Sequence, residues 1–393
     1  MHSKNNPVDT KSQREHERYS LDIFNDPAIN KQKTDVRSFW LDTATPSETM
    51  YSCFDSAFEE VMFGAIVWAL NQDPLNPKVI TISRVKHSLG GESVPGSRWG
   101  IDNPDSIYRV IPVDLSKAYK IYGQLGKQQL NENHFTLWDE NMRTIGLISG
   151  QNLDTDASGN FEITVDRSPA NGRRNHIQTS SGTKEFYIRD VIVDWENDRP
   201  NTLEIELLEG SNDQKKQGHN AVIELCKTYM KKWAANTLRW NEQAFSRPTN
   251  EFSFKIDRET DGALKNQLYL LGHFALPSEE HCILLTISLG GANYFVAPIT
   301  NIWGTTNDIV DRTGSLNNKQ AKINPDNTYT FILSLKDPGI YNWLDPCDML
   351  EGILTLRWSG FTNPTLVENP SVKSELLLIS DAMNLVSSDL TVT

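Results

Sequence analysis

Apolar residues recur at three- and four-residue steps through Tyr51, Phe54, Phe58, Val61, Met62, Ala65 and Trp68, the spacing of one buried helix face. Thr45-Pro46-Ser47-Glu48, just ahead, fits a capping box with proline at the first helical position, which predicts a helix over about 46 to 71. The aromatic stripe reads as packing. From 106 to 210 the period changes to two. Ile107 to Val113, Tyr119 to Tyr122, Phe135 to Trp138, Phe161 to Val165, Phe186 to Arg189 and Leu203 to Leu208 read as short antiparallel strands between Gly, Asn, Asp and Pro turns. A charged linker over 210–218 leads to a second helical pattern, Val222, Ile223, Cys226, Tyr229, Met230, Trp233 and Leu238, which the Pro248 region ends. A second β unit follows from about 251 to 360, through Phe252 to Ile256, Leu268 to Leu271, Cys282 to Ile287, Tyr294 to Ile302, Tyr329 to Leu335 and Ile353 to Trp358.

The flanks carry weaker patterns. Residues 1 to 40 are polar with several breakers, and read as a flexible arm that docks at most Phe24 and Trp40. The division expected is therefore this arm, a helix plus first sandwich over 41–217, a helix plus second sandwich over 218–362, and a tail over 363–393 in which Ser371 to Val386 forms a helix across a sheet edge. Two stretches look like copies. Phe161 is followed by Pro169, Asn175 and Arg189, Tyr329 by Pro338, Asn342 and Arg357, and both aromatic-to-arginine separations are 28 residues. An internal duplication and a chance convergence of two hairpins both fit.

Charge narrows the partners. The 51 acidic against 38 basic side chains, net -13, disfavour nucleic acid and anionic membrane surfaces, which recruit positive charge. No secretory h-region opens the chain and no apolar stretch is long enough to span a bilayer, so a cytoplasmic location is expected. Cys53, Cys226, Cys282 and Cys347 are scattered as reduced thiols would be.

Arg98-Trp99-Gly100-Ile101-Asp102-Asn103-Pro104-Asp105-Ser106-Ile107-Tyr108, the run Arg189 to Trp195, and Asp337-Pro338-Gly339-Ile340-Tyr341-Asn342-Trp343-Leu344-Asp345 resemble a bacterial family catalogued as domain of unknown function 1214, as do Glu351-Gly352 and Leu356-Arg357-Trp358. Cys347 and Asp348 depart from the Gly-rich or His-containing turn expected there. The resemblance implies a largely β architecture of jelly-roll character and no settled activity. The fold class expected is thus mainly β with flanking helices, in two jelly-roll-like antiparallel β-sandwich units.

Candidate chemistry gathers at strand ends. Asp345, Arg357, Asn342 and Trp343 in the second unit, and Asp194, Arg189, Asn175 and Trp195 in the first, supply a carboxylate, a guanidinium, an amide and an indole each, with Trp99 as a further wall. Asp345 or Asp194 as proton carrier and Arg357 or Arg189 as anion or carbonyl clamp make an enzyme acting on a small, partly apolar organic molecule. The same residues also fit turns and an Asp345–Arg357 fold clamp, and Asp190 and Asp194 fit a solvated strand face. Asp154-Thr155-Asp156-Ala157-Ser158-Gly159 matches half a calcium loop, but Val165 stands where the bidentate Glu belongs. The histidines lack metal spacing, and the Gly-rich run Ser88 to Ser97 reads as a long loop, so no metal and no cofactor are expected. A carbohydrate- or small-ligand-binding sandwich without turnover is the rival reading. Oligomeric state is not legible.

Overall fold

The computed structural model of the chain describes residues 6–208, 218–252, 267–361, 370–386 and 388–392. Most of the 210–218 linker and of the Phe252 to Ile256 strand reading lies outside them. The chain is mostly β, in antiparallel sheets with helices, and divides into two units. The first holds residues 1–38, 59–98 and 105–233, the second 39–58, 99–104 and 234–393.

The flexible-arm reading is corrected: α1 (Lys11–Phe24) and α2 (Pro27–Ala44) are regular helices. Thr10 caps α1, accepting from the Gln13 amide. The buried face of α1 is largely polar, with Gln13, His16, Glu17 and Ser20 beside Leu21 and Phe24, and it docks because its groups are satisfied. Gln13 Oε1 accepts from Thr81 N at 2.8 Å while its Nε2 donates to Thr81 O at 3.0 Å. His16 Nε2 meets Val67 O at 2.8 Å, and Glu17 takes Arg84 and His87. The single helix expected over 46 to 71 is two, α3 (Glu48–Ser52) and α4 (Phe54–Leu70). Ser47, not Thr45, is the cap, accepting from Met50 N. The next helix is α5 (His219–Phe245).

In the first unit β1 (Ile80–Ile82) precedes a hairpin, β2 (His87–Leu89) and β3 (Glu92–Val94), where a long loop was expected. Gly90 and Gly91 make its turn at φ 63° and 92°, a left-handed region open to glycine. Then β4 (Ser106–Pro112), β5 (Tyr119–Gln124), β6 (Glu132–Asp139), β7 (Thr144–Ser149), β8 (Asn160–Asp166), β9 (His176–Gln178), β10 (Thr183–Val191) and β11 (Thr202–Leu207) build two sheets, ordered β1-β4-β10-β6-β7 and β11-β5-β8-β9. They enclose a core that includes Tyr119, Ile121, Phe135, Phe161, Ile163, Phe186 and Ile188. Phe135 and Phe161 touch edge to face across it at 5.8 Å.

In the second unit β12 (Leu268–Ala275), β13 (His281–Ser288), β14 (Tyr294–Thr300), β15 (Ser315–Asn317), β16 (Thr328–Ser334), β17 (Trp343–Leu344), β18 (Glu351–Ser359) and β19 (Ser371–Leu378) form the sheets β12-β18-β14-β15 and β17-β16-β13-β19. Phe295 packs on Phe331 and on Trp358 between them. The tail helix is corrected: 371–378 pairs with β13 along its length, and only α6 (Ile379–Met383) is helical, placing Ala382 on Cys282, Leu284 and Ile332. Apart from β1 and the β2–β3 hairpin, strands β4 to β11 occupy the same places in their sheets as β12 to β19 in theirs, and each set contains one short parallel pair, β8–β9 or β16–β17.

Candidate functional site

Because β10 lies between β4 and β6, its side chains alternate between core and outer face. Phe186 and Ile188 enter the core. Glu185, Tyr187 and Arg189 take the other face, in register with Pro112, Val110 and Tyr108 on β4 and with Trp138, Thr136 and His134 on β6. Trp138 stacks on Tyr187 at 4.1 Å and Trp68 of α4 stacks on it at 5.6 Å. Glu185 holds that stack, accepting from Trp68 Nε1 at 3.0 Å and Gln72 Nε2 at 2.7 Å; burial pushes its carboxyl above the usual range. The Arg189 guanidinium lies 4.4 Å from the centre of the Tyr187 ring, 5.5 Å from Trp138 and 6.0 Å from Tyr108, within cation–π reach.

Beside Arg189 in the sheet, His134 Nε2 is 3.0 Å from Glu132 Oε2, both side chains buried. His134 Nδ1 is buried too, and has no hydrogen-bond partner among the described residues. With Nε2–H donating to the carboxylate, Nδ1 carries the lone pair, the form in which an imidazole takes up a proton.

Asp190 turns the opposite way, which corrects its reading as part of a solvated face. It is fully buried and ion-paired with Arg109. Its oxygens also accept from Asn133 Nδ2 and Asn201 N, both at 2.7 Å. Burial pushes this carboxyl up, and Arg109 works against that. The group plugs one end of the sandwich.

The predicted residues fare differently. Arg189 meets the aromatic wall. Asp194 accepts from the amides of Glu196 and Asn197, capping a turn, and the half-exposed Trp195 donates its indole N–H to Asp105 at 2.8 Å. Asn175 brackets the backbone of Asp154, accepting from its N at 3.0 Å and donating to its O at 2.8 Å. Asn342 does the same to Lys322, at 2.7 and 2.8 Å, and also donates to Thr330 O. Asp345 corrects the fold-clamp reading: its carboxylate is held by Arg312, Nε at 2.6 Å and Nη2 at 2.8 Å. Arg357 donates to Ile101 O and lies 5.6 Å from the Tyr269 ring. Trp343 donates to Ser334 O at 2.8 Å, and Trp99 to Thr237 Oγ1 at 3.0 Å. In the half calcium loop, Asp154 pairs with Arg174 and Asp156 accepts from the amides of Ser158 and Asn160. Among the described residues no group of three or more His, Cys, Asp or Glu is placed to hold a metal ion, and no helix is long and apolar enough to cross a membrane.

The His134–Glu132 pair was missed by sequence reading. The two are separated by one residue on a strand, which puts them on one face, but only the β10–β6 register sets that face beside Arg189.

No family model matches the chain, and no curated protein sequence matches it. Among solved structures it is similar to an uncharacterized protein from Burkholderia cenocepacia, at 16% identity and a TM-score of 0.75, over 94% of this chain and 99% of that one. That likeness shows a shared fold. The VPA0106 protein from Vibrio parahaemolyticus matches at 11% identity and a TM-score of 0.46, over 82% of this chain and 99% of that one.

Proposed function

We propose that the protein is an enzyme that moves a proton on a small, partly apolar organic molecule carrying a carbonyl or anionic oxygen. His134 Nδ1 is the base, Glu132 fixes the tautomer, Arg189 binds the oxygen, and Tyr187, Trp138 and Tyr108 form the wall. The carrying observation is the buried, carboxylate-oriented imidazole set directly beside the aromatic-backed Arg189. Asp194 and Asp345, the carboxylates favoured from sequence, are replaced in this role because turn amides and Arg312 hold them.

Metabolite profiling of the purified protein against a cell extract tests this. Conversion of one compound, reduced by roughly 10²–10⁴-fold in His134→Gln with thermal stability retained, supports it. Retention of a compound without conversion favours the ligand-binding sandwich instead.

We also propose that the two sandwiches are copies of one jelly-roll-like unit. The matched strand places, the Asn175 and Asn342 brackets and the Tyr108–Arg189 and Tyr269–Arg357 register pairs support this. Membership of the family of domain of unknown function 1214 and a cytoplasmic location, suited to four cysteines without disulfides, belong to the same reading.

A further inference from the structure

The outer face of the sheet β12-β18-β14-β15 has a chemistry of its own. Leu354, Leu356 and Trp358 of β18 are buried, Trp358 against Phe295 of the core; Thr355, Arg357 and Ser359 alternate with them onto the other face. Thr300 of β14 stands opposite Ile353 on that face, and Ser315 of β15 lies opposite Pro298 two residues away. Thr300 and Thr355 are fully buried, Ser359 is 1% and Arg357 9% exposed. The Oγ atoms of Thr300, Ser315, Thr355 and Ser359 and Nε of Arg357 are all buried, with no hydrogen-bond partner among the described residues.

An unmet buried hydroxyl costs about 1–3 kcal/mol, and valine would fill either threonine site at no such cost. Several such groups on one face, next to a guanidinium already oriented by Ile101 O and backed by Tyr269, are a matched set of donors and acceptors in want of a counterpart. Hydroxyls pair with hydroxyls in either direction, whereas Arg Nε–H pairs only with an acceptor and prefers a charged one.

We infer that this face of the second unit is a binding site for a small polyhydroxylated organic anion, with Arg357 on the charged group and the Thr300, Ser315 and Thr355 hydroxyls, which lie on one side of Arg357 along the strands, on its alcohols. It is separate in residues and chemistry from the His134 site, and does not depend on it.

Calorimetric titration of the full chain with gluconate and with glucose 6-phosphate is the test. Saturable binding of either probe, weakened roughly ten-fold or more in Thr300→Val/Thr355→Val while the thermal midpoint holds or rises, is the expected result. Gluconate alone binding would assign a carboxylate head, the phosphate alone a phosphoryl head. No saturable heat from either, or binding unchanged in the double variant, overturns the inference and leaves ordered water as what those hydroxyls meet. The His134→Gln variant should bind both probes normally, so the two readings fail separately.

Discussion

Matching positions in the two sandwiches differ along one line. Beside Arg189 the first unit carries His134, and the same place beside Arg357 is Val296. The residue after the arginine turns inward in both, as Asp190 paired with Arg109 in one and as Trp358 packed on Phe295 in the other. The same strand arrangement therefore holds an ionic plug with a histidine and a carboxylate on its outer face, and an aromatic plug with hydroxyls on its outer face. Strand order constrains which positions face which way, and leaves the chemistry at each to the residue.

Breaking the ionic plug should give the largest effect. Asp190→Ala leaves Arg109 buried and unpaired, and should lower unfolding stability by about 3–5 kcal/mol in urea titration; a loss below about 1 kcal/mol would mean that water reaches Arg109.

The units should also part company in acid. Burial holds His16 of the first unit at about 4 against an ordinary 6.5. Between these values the unfolded chain takes up a proton that the native state refuses, so stability is full above pH 6.5 and falls as the pH drops to 4. The loss is on the order of 3 kcal/mol. In the second unit Glu351 is partly buried, but the hydrogen bond from His273 holds its carboxyl below the ordinary 4.5, so its contribution is present above that value and is lost only as the pH falls through the depressed one. The stability lost in urea titration between pH 7 and pH 5 should therefore be smaller in His16→Gln than in the unaltered chain, and an equal loss in both would mean that His16 is protonated in the native state.

The smallest contrast is between the two asparagine brackets. Asn342 is fully buried and makes three hydrogen bonds, Asn175 is half-buried and makes two. Replacement by alanine should cost about 2 kcal/mol at Asn342 and about 1 kcal/mol at Asn175, and equal losses would remove the distinction.

Strands with one face in a core were legible from alternation: the Phe161 to Val165 and Tyr329 to Leu335 readings coincide with β8 and β16 to within a residue. The α1 helix was not, because its docking face is built from Gln13, His16, Glu17 and Ser20, and a hydrophobicity pattern records such residues as solvated. β19 was read as a helix because an edge strand with mostly exposed side chains shows no clean period of two. The aromatic stack and the His134–Glu132 pair depend on which strands are neighbours, information carried by pairing rather than by local spacing.

The attachment of Gln13 to Thr81 bears on how the molecule behaves in a crowded solution. β1 is the outermost strand of its sheet, and a bare outermost strand offers its backbone as a template for another chain. One glutamine amide takes up both main-chain groups of Thr81, at the middle of that three-residue strand. The amino-terminal helix thereby works as a guard on the sheet's rim. Deleting it would show first as self-association at high protein concentration, before any change in the chemistry of the distant strands.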